Sequence, residues 1–183
     1  MILNQTHGDK IVVIDHQTPA ITQIGDGLIT NIPGRALSIK TADCFPLFLY
    51  DPKQQVIGLI HVGWLGANQG IHTKAIKILK SKFKSDPKDI IVQLGPGICS
   101  SCYTFTRKPT QSWGLHTYER KNVWHVNLKG FIKFGLTQAG IESEKITDMN
   151  ICTYEDRRFP SHRRSRISGE PEDRFTSTIT LKA

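Results

Sequence analysis

A chain of 183 residues with 38% hydrophobic content and a formal net charge of +8 has enough apolar material for one well-buried core, so a single domain over residues 1–183 is expected, and its charge favours anionic partners. No run approaches the roughly 18 apolar residues of a membrane span, and the opening MILNQTHGDK lacks the basic and apolar regions of a signal peptide, which points to a soluble, cytoplasmic protein with no membrane partner. Cys44, Cys99, Cys102 and Cys152 are expected as reduced thiols, and the cluster of Arg157, Arg158, Arg163, Arg164 and Arg166 comes without any nucleic-acid motif, so nucleic acid is set aside as the main partner.

In chain order, Lys10 to Ile14 reads as a strand. His7, just before it, is either a surface histidine at a strand entry or a metal ligand. Gly25, Asp26 and Gly27 punctuate the chain before a strand at Leu28 to Thr30, and the turn signal Pro33-Gly34 precedes another at Ala36 to Lys40. Phe45 to Tyr50 and Gln55 to Ile60 are short apolar runs that read as a hairpin, turning through Asp51, Pro52, Lys53 and Gln54. With Tyr50 opposite Gln55, Cys44 falls opposite His61, at a Cβ separation of about 5 Å on one sheet face. A thiolate and an imidazole so placed can share a metal ion, or the imidazole can deprotonate the thiol. A slip of one residue would separate them to opposite faces.

After Trp64 the apolar period becomes helical from about Ala67 to Phe83. Asp89 to Leu94 reads as a strand ending in Gly95-Pro96-Gly97. Cys99-Ser100-Ser101-Cys102 has C-x-x-C spacing, which fits small residues at a glycine-rich turn, half a zinc site or a redox pair. A structural zinc site needs a second pair, and once Cys44 is used only Cys152 remains. The segment 107–122 is polar and carries little signal. A helix is expected over Leu128 to Ala139, capped by Asn127 and followed by Gly140, then a strand over Ile146 to Ile151. Cys152 to Glu172 reads as a long polar loop, either a solvated basic loop or an anion site, and Thr176 to Leu181 as a closing strand.

Taken together, QTHGDKIVVID, GDGLIT, IKTADCFPLFLYD, IGLIHVGWLG, QLGPGICSSCYTF, ICTYEDRRFPSHRR and DRFTSTITL resemble, in the same order, the signature segments of the polyphenol oxidase or laccase-domain family of YfiH type. That family's typical forms include Q-V-H-G, T-A-D-C-x-P, H-A-G-W-R-G, G-P-x-I-x-x-C-C-Y and C-T followed by F-x-S-Y-R-R. The resemblance implies an α+β fold of two packed mixed β-sheets flanked by helices, layered α/β/β/α. It implies a zinc site of two histidines and one cysteine, mapping onto His7, Cys44 and His61, with one zinc per chain and copper the lesser candidate despite the oxidase name.

The activities implied are phosphorolysis of adenosine, inosine or methylthioadenosine, with purine nucleoside and phosphate as partners, and deamination of adenosine. Three protein ligands leave one zinc position open, as in catalytic sites. Asp43 is a candidate proton carrier if its strand is bulged, and otherwise orients a ligand or turn; Arg163 and Arg164 are candidates for holding phosphate. The sequence departs from the family at Leu65, where G-W-R-G has arginine, at Ser101 in C-C-Y and at His162 in S-Y-R-R. The family carries a further segment before Q-V-H-G, so this chain is expected to lack its opening strands. A zinc-stabilised binding protein is therefore one alternative; a cysteine hydrolase, with Cys44 as nucleophile and His61 as base, is another.

Overall fold

The computed structural model describes residues 1–19, 22–109 and 111–182. Strands β1 (Leu3–Asn4), β2 (Ile11–Ile14), β3 (Gln23–Ile24), β4 (Gly27–Thr30) and β5 (Ala36–Thr41) lead into the hairpin β6 (Phe45–Asp51) and β7 (Val56–Val62). Helices α1 (Trp64–Asn68) and α2 (Ile71–Phe83) follow, then β8 (Ile91–Leu94), β9 (Thr104–Phe105), β10 (Thr117–Arg120), β11 (Val123–Val126), α3 (Leu128–Gln138), β12 (Ile146–Asp148), α4 (His162–Ser168) and β13 (Phe175–Thr180). The centre is a six-stranded sheet in the order β12-β8-β6-β7-β4-β2. Its two outermost pairings are parallel and the rest antiparallel.

The hairpin β6–β7 is apolar on both faces, so each face has to be covered. Leu47, Leu49, Val56 and Ile60 meet Ile71, Ala75 and Leu79 of α2 and Ile132 and Leu136 of α3. On the other face Ile57 and Leu59 pack with Leu37, Ile39 and Ile179, which belong to an antiparallel ribbon of β5 and β13. The result is the α+β arrangement of packed sheets and flanking helices that the family resemblance implies. No helix among the described residues is long and apolar enough to cross a membrane.

The expected register of the hairpin needs correction. Asp51 pairs with Val56, Pro46 with His61 and Phe45 with Val62, two residues away from the expected pairing, and Cys44 lies just before β6 beside Gly63 rather than opposite His61. The turn is the cause: the Asp51 carboxylate accepts hydrogen bonds from the Lys53 and Gln54 amides at 2.8 and 3.1 Å, and Gln55 takes a left-handed φ of 49°, so the loop runs over 52–55. Because sheet faces alternate with a period of two, a shift of two keeps Cys44 and His61 on one face.

Elsewhere, the single helix expected over Ala67 to Phe83 is two, broken at Gly70, whose φ of 76° suits glycine. α3 starts and stops as expected: the Asn127 side chain accepts from the Gly130 amide and Gly140 follows at a φ of 97°. Two segments hold more structure than expected. β10 lies within 107–122, largely exposed and paired to β11, and α4 lies within the supposed loop, capped by Ser161, which accepts from the Arg164 amide. The strand expected to reach Ile151 ends at Asp148.

Candidate metal centre and cavity

His7, Cys44 and His61 come from three separate segments, and their ligand atoms lie within 4.8 Å of one another. β7 carries His61 to the end of the central sheet, where it is 2% exposed. Its Nδ1 stands 2.8 Å from Asp26 Oδ1, which leaves Nε2 as the nitrogen available to a metal. Asp26, fully buried, also accepts hydrogen bonds from the amides of Thr6, His7 and Gly8 at 3.1, 2.9 and 2.9 Å and from the Thr6 hydroxyl at 2.9 Å. One carboxylate thus orients one histidine and folds the loop that presents the other. Gln5 fastens the same loop to the edge of β5, donating to the Lys40 carbonyl and accepting from its amide, both at 2.8 Å.

Cys44 follows Asp43, whose φ is 80°; the chain kinks there between β5 and β6. Space for the sulfur is left by Gly63, where a Cβ would lie 2.7 Å from Cys44 Sγ. The kink also sends the Asp43 carboxylate to the cavity wall, where Oδ1 accepts from the Thr153 hydroxyl at 2.7 Å and Oδ2 from the Arg163 amide at 2.6 Å.

The charges agree with the geometry. Burial would push the Cys44 thiol up, but hydrogen bonds to His61 and His7 bring it down to about 6. His61 is raised to about 9, burial being outweighed by Asp26 and Cys44. Asp26 is lowered to about 2, again against its burial, by His61, the Gly8 amide and the Thr6 hydroxyl. Without an ion these shifts describe a thiolate paired with a protonated His61. An ion that displaces that ring proton would meet one thiolate and two imidazoles, one of them held by a buried carboxylate, a donor set suited to a soft or borderline divalent ion.

This cluster opens onto a cavity of about 590 Å³ lined also by Lys40, Trp64, Tyr103, Arg163 and Arg174. Arg163 is fixed on the wall: its Nη1 donates to the Thr104 carbonyl and hydroxyl at 2.8 and 3.0 Å, and its guanidinium lies 5.6 Å from the ring centres of both Tyr103 and Phe105. Arg164 is turned away from it. It donates to the carbonyls of Thr153, Tyr154 and Phe159 and to Glu170, so it braces the loop before α4. Leu65 sits at the cavity and is 55% exposed. Asp26, Lys40 and Tyr103 join the site without having been singled out from the sequence; for Asp26 the available signal was the Gly-Asp-Gly of GDGLIT, read as a turn.

The family model described as multi-copper polyphenol oxidoreductase laccase matches residues 1–182. The chain belongs to this family. Its fold superposes on the crystal structure of the Bacillus licheniformis hypothetical protein YfiH with a TM-score of 0.88 and 31% identity, covering 99% of this chain and 73% of that one. YlmD from Geobacillus stearothermophilus gives a TM-score of 0.85 and 27% identity over 97% of this chain and 71% of that one. A Bacillus subtilis protein named purine nucleoside phosphorylase YlmD is 33% identical over 148 residues, 76% of this chain. That match spans about half of the relative, 53% of its length.

Proposed function

We propose that this member of the laccase-domain family is a zinc-dependent purine nucleoside phosphorylase, with His7, Cys44 and His61 as the metal ligands. The carrying observation is the convergence of those three donors at the wall of a cavity that also presents Lys40, Arg163 and Arg174. The donor set fits zinc: the Cys44 pKa favours the thiolate near neutral pH, Asp26 fixes the ring of His61, and Gly63 leaves room at the sulfur. When bound, the ion supplies Lewis-acid chemistry. The name carried by the Bacillus subtilis relative supports the choice of reaction.

In phosphorolysis a phosphate oxygen forms a bond to C1′ of the ribose as the C1′–N9 bond breaks. The bonding pair leaves with the base, which takes up a proton. Arg163, held rigid by Thr104, and the neighbouring Lys40 and Arg174 supply the positive field for the anionic co-substrate. Trp64 and Tyr103 offer flat apolar surface to a purine. Asp43 has both oxygens engaged by Thr153 and Arg163, which favours positioning over proton transfer.

Deamination of adenosine is the second reading, favoured by Leu65, since hydrolytic attack needs no bound anion where the family has its arginine. Incubation of zinc-loaded protein with adenosine, inosine and methylthioadenosine, with and without phosphate, tests both. Free base and ribose 1-phosphate appearing only with phosphate is the expected result; inosine formed from adenosine without phosphate moves the assignment to deamination. No turnover of any of the three leaves the zinc-stabilised binding protein. A full complement of copper in protein prepared without added metal would restore the oxidase reading, and a metal-free protein whose Cys44 is acylated by an ester or amide substrate, with release of the alcohol or amine, would favour the cysteine hydrolase.

A further inference from the structure

Outside this site, Cys99, Cys102, Cys152 and Glu155 form a second cluster whose ligand atoms all lie within 4.8 Å of one another. We propose that these four residues bind one zinc ion of their own, as a structural site separate from His7, Cys44 and His61.

The cluster is assembled by backbone. The Cys99 carbonyl accepts from the amides of Cys102 and Tyr103 at 3.1 and 2.9 Å, a tight turn that brings the two C-x-x-C sulfurs together. Gly97 bridges to Cys152, with the Gly97 amide donating to Ile151 and the Thr153 amide to Gly97 at 3.1 and 3.2 Å. A further turn, in which the Asp156 amide donates to the Cys152 carbonyl at 2.9 Å, returns Glu155 to the thiols.

Glu155 Oε1 lies 3.3 Å from Cys102 Sγ and 3.7 Å from Cys99 Sγ. Donors around a tetrahedral zinc at about 2.3 Å stand roughly 3.7 Å apart, so binding asks for small side-chain movements. All three thiols are free and half-buried, and Glu155 is exposed, so an ion can reach them. The second pair that C-x-x-C lacks in the sequence is supplied by one more cysteine and a carboxylate. Three thiolates with one hard oxygen suit zinc better than a cuprous ion, which prefers sulfur throughout. Four protein ligands close the coordination sphere, the arrangement of structural sites.

Both loops support Asp43 at the wall of the cavity. The Ile98 amide donates to the Asp43 carbonyl at 2.9 Å, and the Thr153 hydroxyl to the Asp43 carboxylate at 2.7 Å. An ion joining Cys99 and Cys102 to Cys152 therefore clamps the two supports of the kink that presents Cys44.

The test is the metal content of the full chain after dialysis against zinc and removal of the excess. Wild type is expected to retain about two zinc ions, Cys152→Ser about one and Cys44→Ser about one, a different one in each case. Alkylation of the wild-type protein, read peptide by peptide, guards against misfolding of the variants: zinc should slow modification of Cys99, Cys102 and Cys152 together. A wild-type count of about one that Cys44→Ser abolishes and Cys152→Ser leaves unchanged would overturn the site, as would a disulfide among the three in protein purified without oxygen. Neither result touches the assignment of His7, Cys44 and His61, which Cys44→Ser reads separately.

Discussion

His61 stands near the end of a strand of the central sheet and Cys44 just ahead of the neighbouring strand, with His61 and the loop of His7 held by the buried carboxylate of Asp26, whereas Cys99, Cys102, Cys152 and Glu155 stand on turns held by backbone hydrogen bonds. The first cluster lines a cavity of about 590 Å³; in the second, four donors face one another. Sheet and carboxylate give three donors a fixed outlook onto free space, which chemistry requires. Turns give four donors mutual proximity, which suffices for a cross-link. The two clusters meet at Asp43, whose backbone and side chain both contact the turn-borne loops.

The sharpest way to separate them is His61→Ala. It removes a donor and strands Asp26, whose Oδ1 stands 2.8 Å from the histidine. Zinc should be lost from the first cluster and turnover should fall by about 10²-fold or more, while the zinc that depends on Cys152 stays. Loss of both ions together, in protein that circular dichroism shows to be folded, would merge the two clusters into one cooperative site. Asp26→Asn is the milder probe. The ring of His61 and the loop of His7 lose their shared anion, and zinc affinity measured by chelator competition should weaken by about 10 to 100-fold at the first cluster alone. An unchanged affinity would mean that the sheet by itself positions the ligands.

Leu65→Arg acts on the cavity and leaves both clusters intact. Leu65 is 55% exposed, so the longer side chain meets solvent rather than packed neighbours. It should raise phosphate-dependent turnover by about tenfold, less than the roughly 10² to 10³ that a fully positioned charge-stabilising donor contributes, with little change in any phosphate-independent reaction. Equal rates in the two proteins, both folded and zinc-loaded, would deny that position a role in holding phosphate.

The helix-covered face of the sheet supplies a control that acts on stability and leaves the site untouched. His72 of α2 is 2% exposed, its Nδ1 has no hydrogen-bond partner among the described residues, and burial lowers its pKa from 6.5 to about 4. Between those values the unfolded chain binds the proton and the folded one does not, so this contribution is fully present above about pH 6.5 and is lost as pH falls towards 4. At about 1.4 kcal/mol per unit, His72 should account for up to about 3 kcal/mol of that loss. Denaturant melts of His72→Leu at pH 7 and pH 5 should show a flatter dependence than wild type. Parallel curves would show that water or relaxation of α2 against α3 admits the proton.

How far the sequence carried these features depends on where their determinants lie. α3 was legible because its cap at Asn127 and its stop at Gly140 are local. For the hairpin, the alternation of faces was legible but the pairing was off by two, since the Asp51 side chain closes a longer loop than the turn residues suggested. β10 escaped notice because its strand is mostly exposed and lacks an apolar face. Asp26 and Glu155 escaped for a shared reason: a carboxylate between turn residues looks solvated until the chain brings its partners back, from His61 to Asp26 and from Cys99 and Cys102 to Glu155. Arg164 was overread, because a run of arginines does not reveal which guanidinium will serve a loop's own carbonyls.

The amides of Thr6, His7 and Gly8 all donate to the single carboxylate of Asp26. Their hydrogen exchange is therefore expected to be coupled, because an opening that lifts the loop off Asp26 releases all three amides from one acceptor. The three residues should exchange as a set, at the rate at which the loop leaves Asp26. That common rate is a clock for how often the first cluster falls from three donors to two.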